Sequence, residues 1–233
     1  MFDFKNVKAI IFDFGGVIIN LNRQASVDKL IELGVKDADS MLDNYVQSGL
    51  FAQLEAGEIN ADQFHNLLRE KYQLSLTDEV IDDAFYRFLL DIPDYKMKLI
   101  HKLHDGVYNA KGERIRILVL SNTNEIQFPY CMRKFFNVGG DSVDNYFDKL
   151  YLSYEMKMTK PSDEIFLKLL SEEGIKPEEA VFLDDGPANI ETAKRLGMQV
   201  YHVAPNEDYV YSQSKCKIKG CQNFLTPLLK YFQ

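Results

Sequence analysis

Short apolar runs punctuate the chain at residues 7–12, 115–120, 150–153, 180–183 and 199–203, each bounded by polar residues or glycine. They alternate little and are rich in Ile, Val, Leu and Phe, the pattern of strands covered on both faces in a parallel sheet. Between most of them the period becomes helical. Residues 162–173 place Ile165, Phe166, Leu169 and Leu170 on one stripe, while 187–196 open on a proline suited to a first turn and stop before Gly197. The alternation predicts βαβ units, hence an α/β fold with a doubly wound parallel sheet. Such a sheet carries its ligand-binding groups on loops outside the carboxyl ends of its strands.

Roughly a hundred residues separate the first run from the second, far more than the dozen or so a crossover needs. Within them Phe64, Leu67, Leu68 and Tyr72 recur at helical spacing, as do Ile81, Ala84, Phe85, Phe88 and Leu89, and strand signals are missing. The pattern predicts an inserted helical cap over residues 23–95, leaving 1–22 and 96–233 as the α/β core domain. Leu90-Asp91-Ile92-Pro93-Asp94 reads as the re-entry hinge, because proline ends helices and restricts the residue before it. Residues 105–114 read as a polar surface loop.

Composition narrows the function classes. The chain of 233 residues has 27 Lys+Arg against 35 Asp+Glu, a formal net charge of -8 without a run of five basic residues, so a nucleic-acid partner is not expected. Three cysteines, Cys131, Cys216 and Cys221, fit a reducing cytoplasm better than a disulfide framework. Met1-Phe2-Asp3-Phe4 lacks the basic start and apolar stretch of a signal peptide, and no 18 apolar residues run without charge. The expectation is a cytoplasmic protein with no membrane partner; its oligomeric state stays open.

Four segments carry candidate chemistry. The first strand ends in Phe12-Asp13-Phe14-Gly15-Gly16, a carboxylate at a strand tip followed by glycines that turn tightly and bring backbone N–H groups against an anion. An ordinary turn would look similar. The second strand ends in Ser121-Asn122-Thr123-Asn124 before an expected helix, which suits either an anion site or plain capping. Lys160-Pro161 precedes a third helix, where a lone lysine usually faces water. The sharpest run is Leu183-Asp184-Asp185-Gly186-Pro187-Ala188-Asn189: two adjacent carboxylates at a core strand's end are costly unless a cation neutralises them. Hard oxygens with no His or Cys cluster nearby point to Mg²⁺ over Zn²⁺. Acid, hydroxyl, ammonium and metal pair together are the parts needed for phosphoryl transfer through an aspartyl-phosphate.

The order and spacing of these motifs, with Ile165-Phe166 after Lys160-Pro161, resembles the haloacid dehalogenase (HAD) superfamily over residues 7–20 and 115–203. The chain is similar to the sugar-phosphate phosphatase-like branch, whose first motif carries glycine two residues after the nucleophile. The resemblance implies a Rossmann-like core with a helical cap, and Asp13 as nucleophile and Mg²⁺ ligand. Gly15 would lend its carbonyl to the metal, Asp185 would bind it directly, and Asp184 would act through water or by orienting it. Ser121, Asn122 and Gly16 would face the phosphoryl group, and Lys160 would screen its charge. The substrate implied is a small phosphorylated metabolite.

Two departures stand out. Most phosphatases of the superfamily have a second aspartate where this chain has Gly15, and loss of that acid–base group costs on the order of 10² to 10⁴ in rate. Residues 50–59 resemble the substrate-facing loop of helical-cap relatives, which makes Glu55 a candidate replacement. The family also usually has glycine near position 157, occupied here by Lys157. Two other readings compete with a Mg²⁺-dependent phosphatase: a catalytically weak protein that binds a phosphoryl ligand or a partner, and C–halogen hydrolysis by Asp13, which needs no metal. A phosphomutase would need the missing acid–base group. His101 and His104 read as a surface helix face, Cys216 and Cys221 as free thiols, and Tyr201, Tyr209 and Tyr211 as packing or self-association residues.

Overall fold

The computed structural model describes residues 3–43 and 45–204. Five parallel strands, β1 (Ala9–Phe12), β2 (Arg116–Ser121), β3 (Lys149–Leu152), β4 (Ala180–Asp184) and β5 (Gln199–His202), form one sheet in the order β3-β2-β1-β4-β5. The chain builds outward from the central β1 to β3, then crosses back to lay β4 on β1's other side, so the sheet is doubly wound. Each strand coincides with one of the apolar runs. Successive side chains point to opposite faces: Ile10, Phe12, Ile117, Val119, Val181 and Leu183 enter one core cluster, whereas Ala9, Ile11, Leu118, Leu120, Ala180 and Phe182 enter another. Both faces being apolar is why the strands read as runs rather than alternations.

The residues between β1 and β2 begin with five helices, α1 (Arg23–Glu32), α2 (Ala38–Met41), α3 (Gly49–Glu55), α4 (Ala61–Tyr72) and α5 (Asp78–Tyr86). They bury a third cluster, drawn from residues 27–88 with Ile126 added from the core. Phe51, Phe64 and Phe85 form its centre, their rings 5.4, 5.0 and 5.3 Å apart, a geometry that favours edge-to-face and tilted contacts. The chain enters and leaves this bundle side by side. Leu21 and Leu89 form an antiparallel bridge, and Leu90 N donates to Asn20 O at 2.9 Å while Asn22 N donates to Phe88 O at 2.8 Å.

Helix α6 (Asp94–Gly106) packs Leu99, Ile100 and Leu103 on the first sheet cluster. Packing therefore changes from the bundle to the sheet by Ile92, ahead of residue 95. Asp105 and Gly106 close that helix rather than opening a loop, and Tyr108 then bridges Arg114 in a short hairpin. Beyond β2 come α7 (Gln127–Cys131), α8 (Ser153–Met156), α9 (Asp163–Glu173) and α10 (Pro187–Arg195). Ser162 caps α9 by accepting from Glu164 N at 3.3 Å, and α10 starts on Pro187, as the sequence pattern predicts. Among the described residues no helix is long and apolar enough to cross a membrane.

Candidate active site

Strand register brings the motif residues to one edge. Phe12 pairs with Val119 on one side and Leu183 on the other, and Asp13 N continues the ladder to Leu183 O at 2.8 Å. Asp13, Ser121 and Asp184 thus end three adjacent strands, across the point where the winding reverses. Lys160 reaches the same place from the loop before α9. Its Nζ stands 2.8 Å from Asp13 Oδ1 and 2.7 Å from Asp184 Oδ2, with the side chain 1% exposed. Asn122 anchors it: Lys160 N donates to Asn122 Oδ1 and Asn122 Nδ2 donates to Lys160 O, both at 2.9 Å.

Asp184 has both oxygens occupied. Oδ1 accepts from Gly186 N at 2.7 Å and Asn189 Nδ2 at 3.0 Å, and Oδ2 accepts from Lys160. This suits a residue that orients others more than one that binds a metal directly. Asp185 points the other way, toward the cleft, and Gly16 backs it. Gly16 has φ +71, and a Cβ there would lie 2.2 Å from Asp185 Oδ2, so only glycine fits both the conformation and the space. Gly16 does not line the cleft, so it stands here as Asp185's backing rather than as the expected substrate contact.

The electrostatics call for a cation. Burial pushes the Asp13 carboxyl well above its usual range; Lys160 pulls it down, while Asp184 and Asp185 push it further up. Asp185 is raised to about 6 by burial, with Asp184 adding to it. Burial works against the Lys160 charge, but Asp13 and Asp184 outweigh it and hold the ammonium above its ordinary value. Fully ionised, three carboxylates against one ammonium leave two surplus negative charges, the charge one divalent ion cancels. One oxygen from each of Asp13, Asp184 and Asp185 lies within 4.8 Å of the others, and all three are hard donors that suit Mg²⁺. A second group of ligand-type side chains, Asp62, His65 and Asp78, lies in the helical insertion, where Arg69 pairs with Asp78 and Asp82 takes His65 Nε2 at 2.8 Å.

These groups open into a cleft of about 830 Å³, counting the space that meets solvent, between the sheet edge and the insertion. The core contributes Asp13, Gly15, Ser121, Asn122, Lys160 and Asp185; the insertion contributes Tyr45, Gln47, Phe51, Glu55, Phe85 and Phe88. Residues 50–59 are not a loop throughout: α3 runs to Glu55, because Phe51 and Leu54 bury into the third cluster, and a turn follows. Burial pushes the Glu55 carboxyl up to about 8, with Lys160 acting in the opposite direction.

The end of α3 is fastened to the core. Ser153 Oγ lies 2.6 Å from Glu55 O and 3.0 Å from Thr123 O. Gly57, at φ +62, packs so closely that a Cβ would meet Tyr154 O at 2.1 Å, and Lys157 Nζ donates to Gly57 O at 2.6 Å. Lys157 itself is left-handed, φ 58 and ψ 35, the conformation that glycine takes without strain. Lysine at this position trades an easier turn for a bond across to the insertion.

The structure thus gathers Asp13, Ser121, Asn122, Lys160, Asp184 and Asp185, and sets Gly15 and Glu55 on the same cleft. Sequence reasoning missed Asn189 as the amide holding Asp184, although it stands five residues on, in the same motif. It also missed Ser153, whose place after β3 matches that of Ser121 at the end of β2, and Tyr45 and Gln47. Asn124 turns out to be the capping residue after β2, accepting from Ile126 N at 3.1 Å and Gln127 N at 2.9 Å. His101 pairs with Asp105 at 3.1 Å and His104 lies 3.6 Å from Asp148; neither belongs to a candidate metal group among the described residues. Tyr201 packs on the first core cluster, whereas Tyr209, Tyr211, Cys216 and Cys221 lie outside the described residues.

Sheet order, acid cluster and helical insertion define a class of protein: a HAD-type α/β core with its acids at the switch point. The model of the haloacid dehalogenase-like hydrolases matches residues 7–197, and the chain belongs to that family. It is 35% identical over 203 residues to a D-ribitol-5-phosphate phosphatase of Bacteroides thetaiotaomicron, covering 87% of this chain and 95% of the relative. Among solved structures, a HAD family enzyme of the same organism, in complex with magnesium and inorganic phosphate, superposes with TM-score 0.78 at 35% identity, covering 88% of this chain and 98% of that one. A predicted HAD-like family hydrolase of Porphyromonas gingivalis gives TM-score 0.78 at 36% identity, over 88% of this chain and 95% of that one.

Proposed function

We propose that the protein is a Mg²⁺-dependent phosphatase that hydrolyses a small phosphorylated metabolite, of the sugar- or polyol-phosphate kind, through an aspartyl-phosphate on Asp13. The observation that carries this reading is the buried Lys160 ammonium shared between Asp13 and Asp184, with Asp185 beside them on an open cleft. The relative named for ribitol-5-phosphate and the structural neighbour with magnesium and phosphate support the ester class and the metal.

In this reading Asp13, Asp185 and the Gly15 carbonyl would hold the magnesium ion, and Asp184 orients the set through its saturated bonds. When bound, magnesium would supply charge neutralisation at the carboxylates and at the transferring group. Asp13 attacks phosphorus. Ser121 and Asn122 hold the phosphoryl oxygens, and Lys160 favours the Asp13 carboxylate against its burial and screens the approach of a second anion. Residues 23–95 act as a cap that closes over the substrate and excludes water. Its aromatic wall, Phe51, Phe85 and Phe88, supplies apolar surface, and Tyr45 and Gln47 supply the polar groups that select the alcohol part.

A phosphate-release screen on metabolite esters, with and without Mg²⁺ and beside Asp13→Asn, tests this. The expected outcome is Mg²⁺-dependent release on at least one polyol or sugar phosphate, lost by about 10³-fold or more in the variant. Tight phosphate binding without turnover on any ester would instead favour the binding-protein reading that Gly15 motivates, and dehalogenation persisting in a chelator would favour C–halogen hydrolysis.

A further inference from the structure

The phosphatase reading leaves a gap at Gly15, which has no side chain to protonate the departing alcohol. A metabolite alkoxide is a poor leaving group and needs that proton. The cleft contains few groups able to give one. Asp13 and Asp185 are assigned to attack and to the metal, Asp184 is saturated, and Lys160 is held charged between two carboxylates. Tyr45, from the insertion, is raised above its ordinary value by burial and by Asp185, Asp43 and Asp184, so it gives up its proton less readily than a free phenol.

Resting on the phosphatase reading, we propose that Glu55 of the insertion is the proton donor to the leaving oxygen and, in the second half of the reaction, the base that activates water. Three observations carry this. Glu55 lines the same cleft as Asp13 and Lys160, on the insertion side, where the alcohol part of a substrate would lie. Its carboxyl makes no hydrogen bond or ion pair among the described residues, whereas its backbone carbonyl takes the Ser153 hydroxyl at 2.6 Å. The next turn is locked to the core by the Lys157–Gly57 bond at 2.6 Å and by the tight packing of Gly57 on Tyr154 O, so the side chain is presented from a fixed backbone. Position is thus specified while the carboxyl stays uncommitted. Of the ionisable groups on the elements around it, Lys160, Asp13, Asp185, Tyr45, Tyr154 and Lys157, only Lys160 acts appreciably on its charge, and burial outweighs that pull. A carboxyl poised at about 8 is protonated at neutral pH, as a donor must be.

The steps balance. Asp13 attacks phosphorus, the bond from phosphorus to the ester oxygen breaks, and that oxygen takes the Glu55 proton and leaves as the alcohol. Glu55, now a carboxylate, accepts a proton from the water that attacks the same phosphorus. The bond from phosphorus to Asp13 breaks, and inorganic phosphate, the Asp13 carboxylate and protonated Glu55 result.

The test compares p-nitrophenyl phosphate, whose leaving group departs unprotonated, with D-ribitol 5-phosphate, whose leaving group cannot, in wild type, Asp13→Asn and Glu55→Gln. The readout is kcat/KM, which reports on events up to phosphoryl transfer. Glu55→Gln is expected to lower kcat/KM on the alkyl ester by about 10²-fold or more, at least tenfold more than on the aryl ester. The fall in wild-type alkyl turnover above pH 8 should vanish with it. Gly15→Asp in the Glu55→Gln background should restore the alkyl ester selectively, since a Cβ at Gly15 meets only Leu21, at 3.3 Å or more. Equal losses on both esters, or an unchanged pH profile, would overturn the role of Glu55 while leaving the phosphatase reading intact. Wild type releasing phosphate from no ester of the screen, or Asp13→Asn cleaving both esters, would overturn the phosphatase reading and this proposal with it.

Discussion

The two walls of the cleft are built by opposite rules. On the sheet edge, Lys160 and Asp184 are buried and fully partnered: the ammonium has two carboxylates, and Asp184 has Lys160, Asn189 and the Gly186 amide. On the insertion side, Glu55 is half-buried without a partner, on a cleft that Phe51, Phe85 and Phe88 also line. The lesson concerns which groups can change state. A saturated group keeps its place, whereas a half-buried carboxyl without a partner can gain or lose a proton at an ordinary pH. Work that needs a fixed scaffold falls to Lys160 and Asp184, and work that needs exchange falls to Glu55.

The comparison can be broken first at Lys160. Lys160→Met leaves Asp13 and Asp184 buried without their shared cation, and removal of one member of such a cluster destabilises by roughly 3–5 kcal/mol. The urea midpoint should fall accordingly. A stability change below 1 kcal/mol would show that the partnered wall is not held together by this ammonium. Gly16→Ala should act next. A Cβ in conflict with Asp185 Oδ2 displaces a proposed metal ligand, so the Mg²⁺ concentration for half-maximal activity should rise about tenfold, the effect of a disturbed coordinating group. Unchanged Mg²⁺ dependence would remove Asp185 from the metal site.

The smallest expected effect sharpens the contrast from the other wall. Glu55 titrates near 8 in the folded chain against 4.5 for the free group, so the unfolded state loses its proton first as pH rises. Its burial therefore costs nothing at pH 4, and the cost grows between about 4.5 and 8. The full shift corresponds to about 5 kcal/mol, but the Glu55 side chain is only half-buried and meets the water of the cleft, so Glu55→Gln should raise stability by on the order of 2 kcal/mol at pH 9 and leave it unchanged at pH 4. Unfolding curves at the two pH values decide it. A variant no more stable at pH 9 than wild type would mean that the carboxyl is better solvated than its surroundings indicate.

Much of the sheet wall is readable from sequence, because its determinants are local. Apolar runs fix the strands, and each motif residue sits directly after one, so parallel pairing alone carries Asp13, Ser121 and Asp184 to a common edge. Lys160 is less local: a lysine before a helix looks solvent-facing until the two carboxylates that require it are in view. The insertion wall is hardest to read. Tyr45, Gln47 and Glu55 meet the site only through the tertiary packing of a separate cluster, and no periodicity encodes which of its polar side chains point at the sheet. Lys157 was legible only as a departure from glycine, and its reason emerges from Gly57, a hundred positions earlier in the chain.

Ser153 carries a single hydroxyl proton, yet two carbonyl oxygens, those of Glu55 and Thr123, stand within its reach. A turn of that hydroxyl from the first to the second releases one of the bonds that tie the end of α3 to the core without displacing a heavy atom. The other bond at that end is the Lys157 ammonium on Gly57 O. The end of α3 is thus held to the core by two short bonds, beside the wider contact that Glu125, Gln127 and Tyr130 make with α4 and α5, so this corner can loosen by one hydroxyl while the rest of the seam holds.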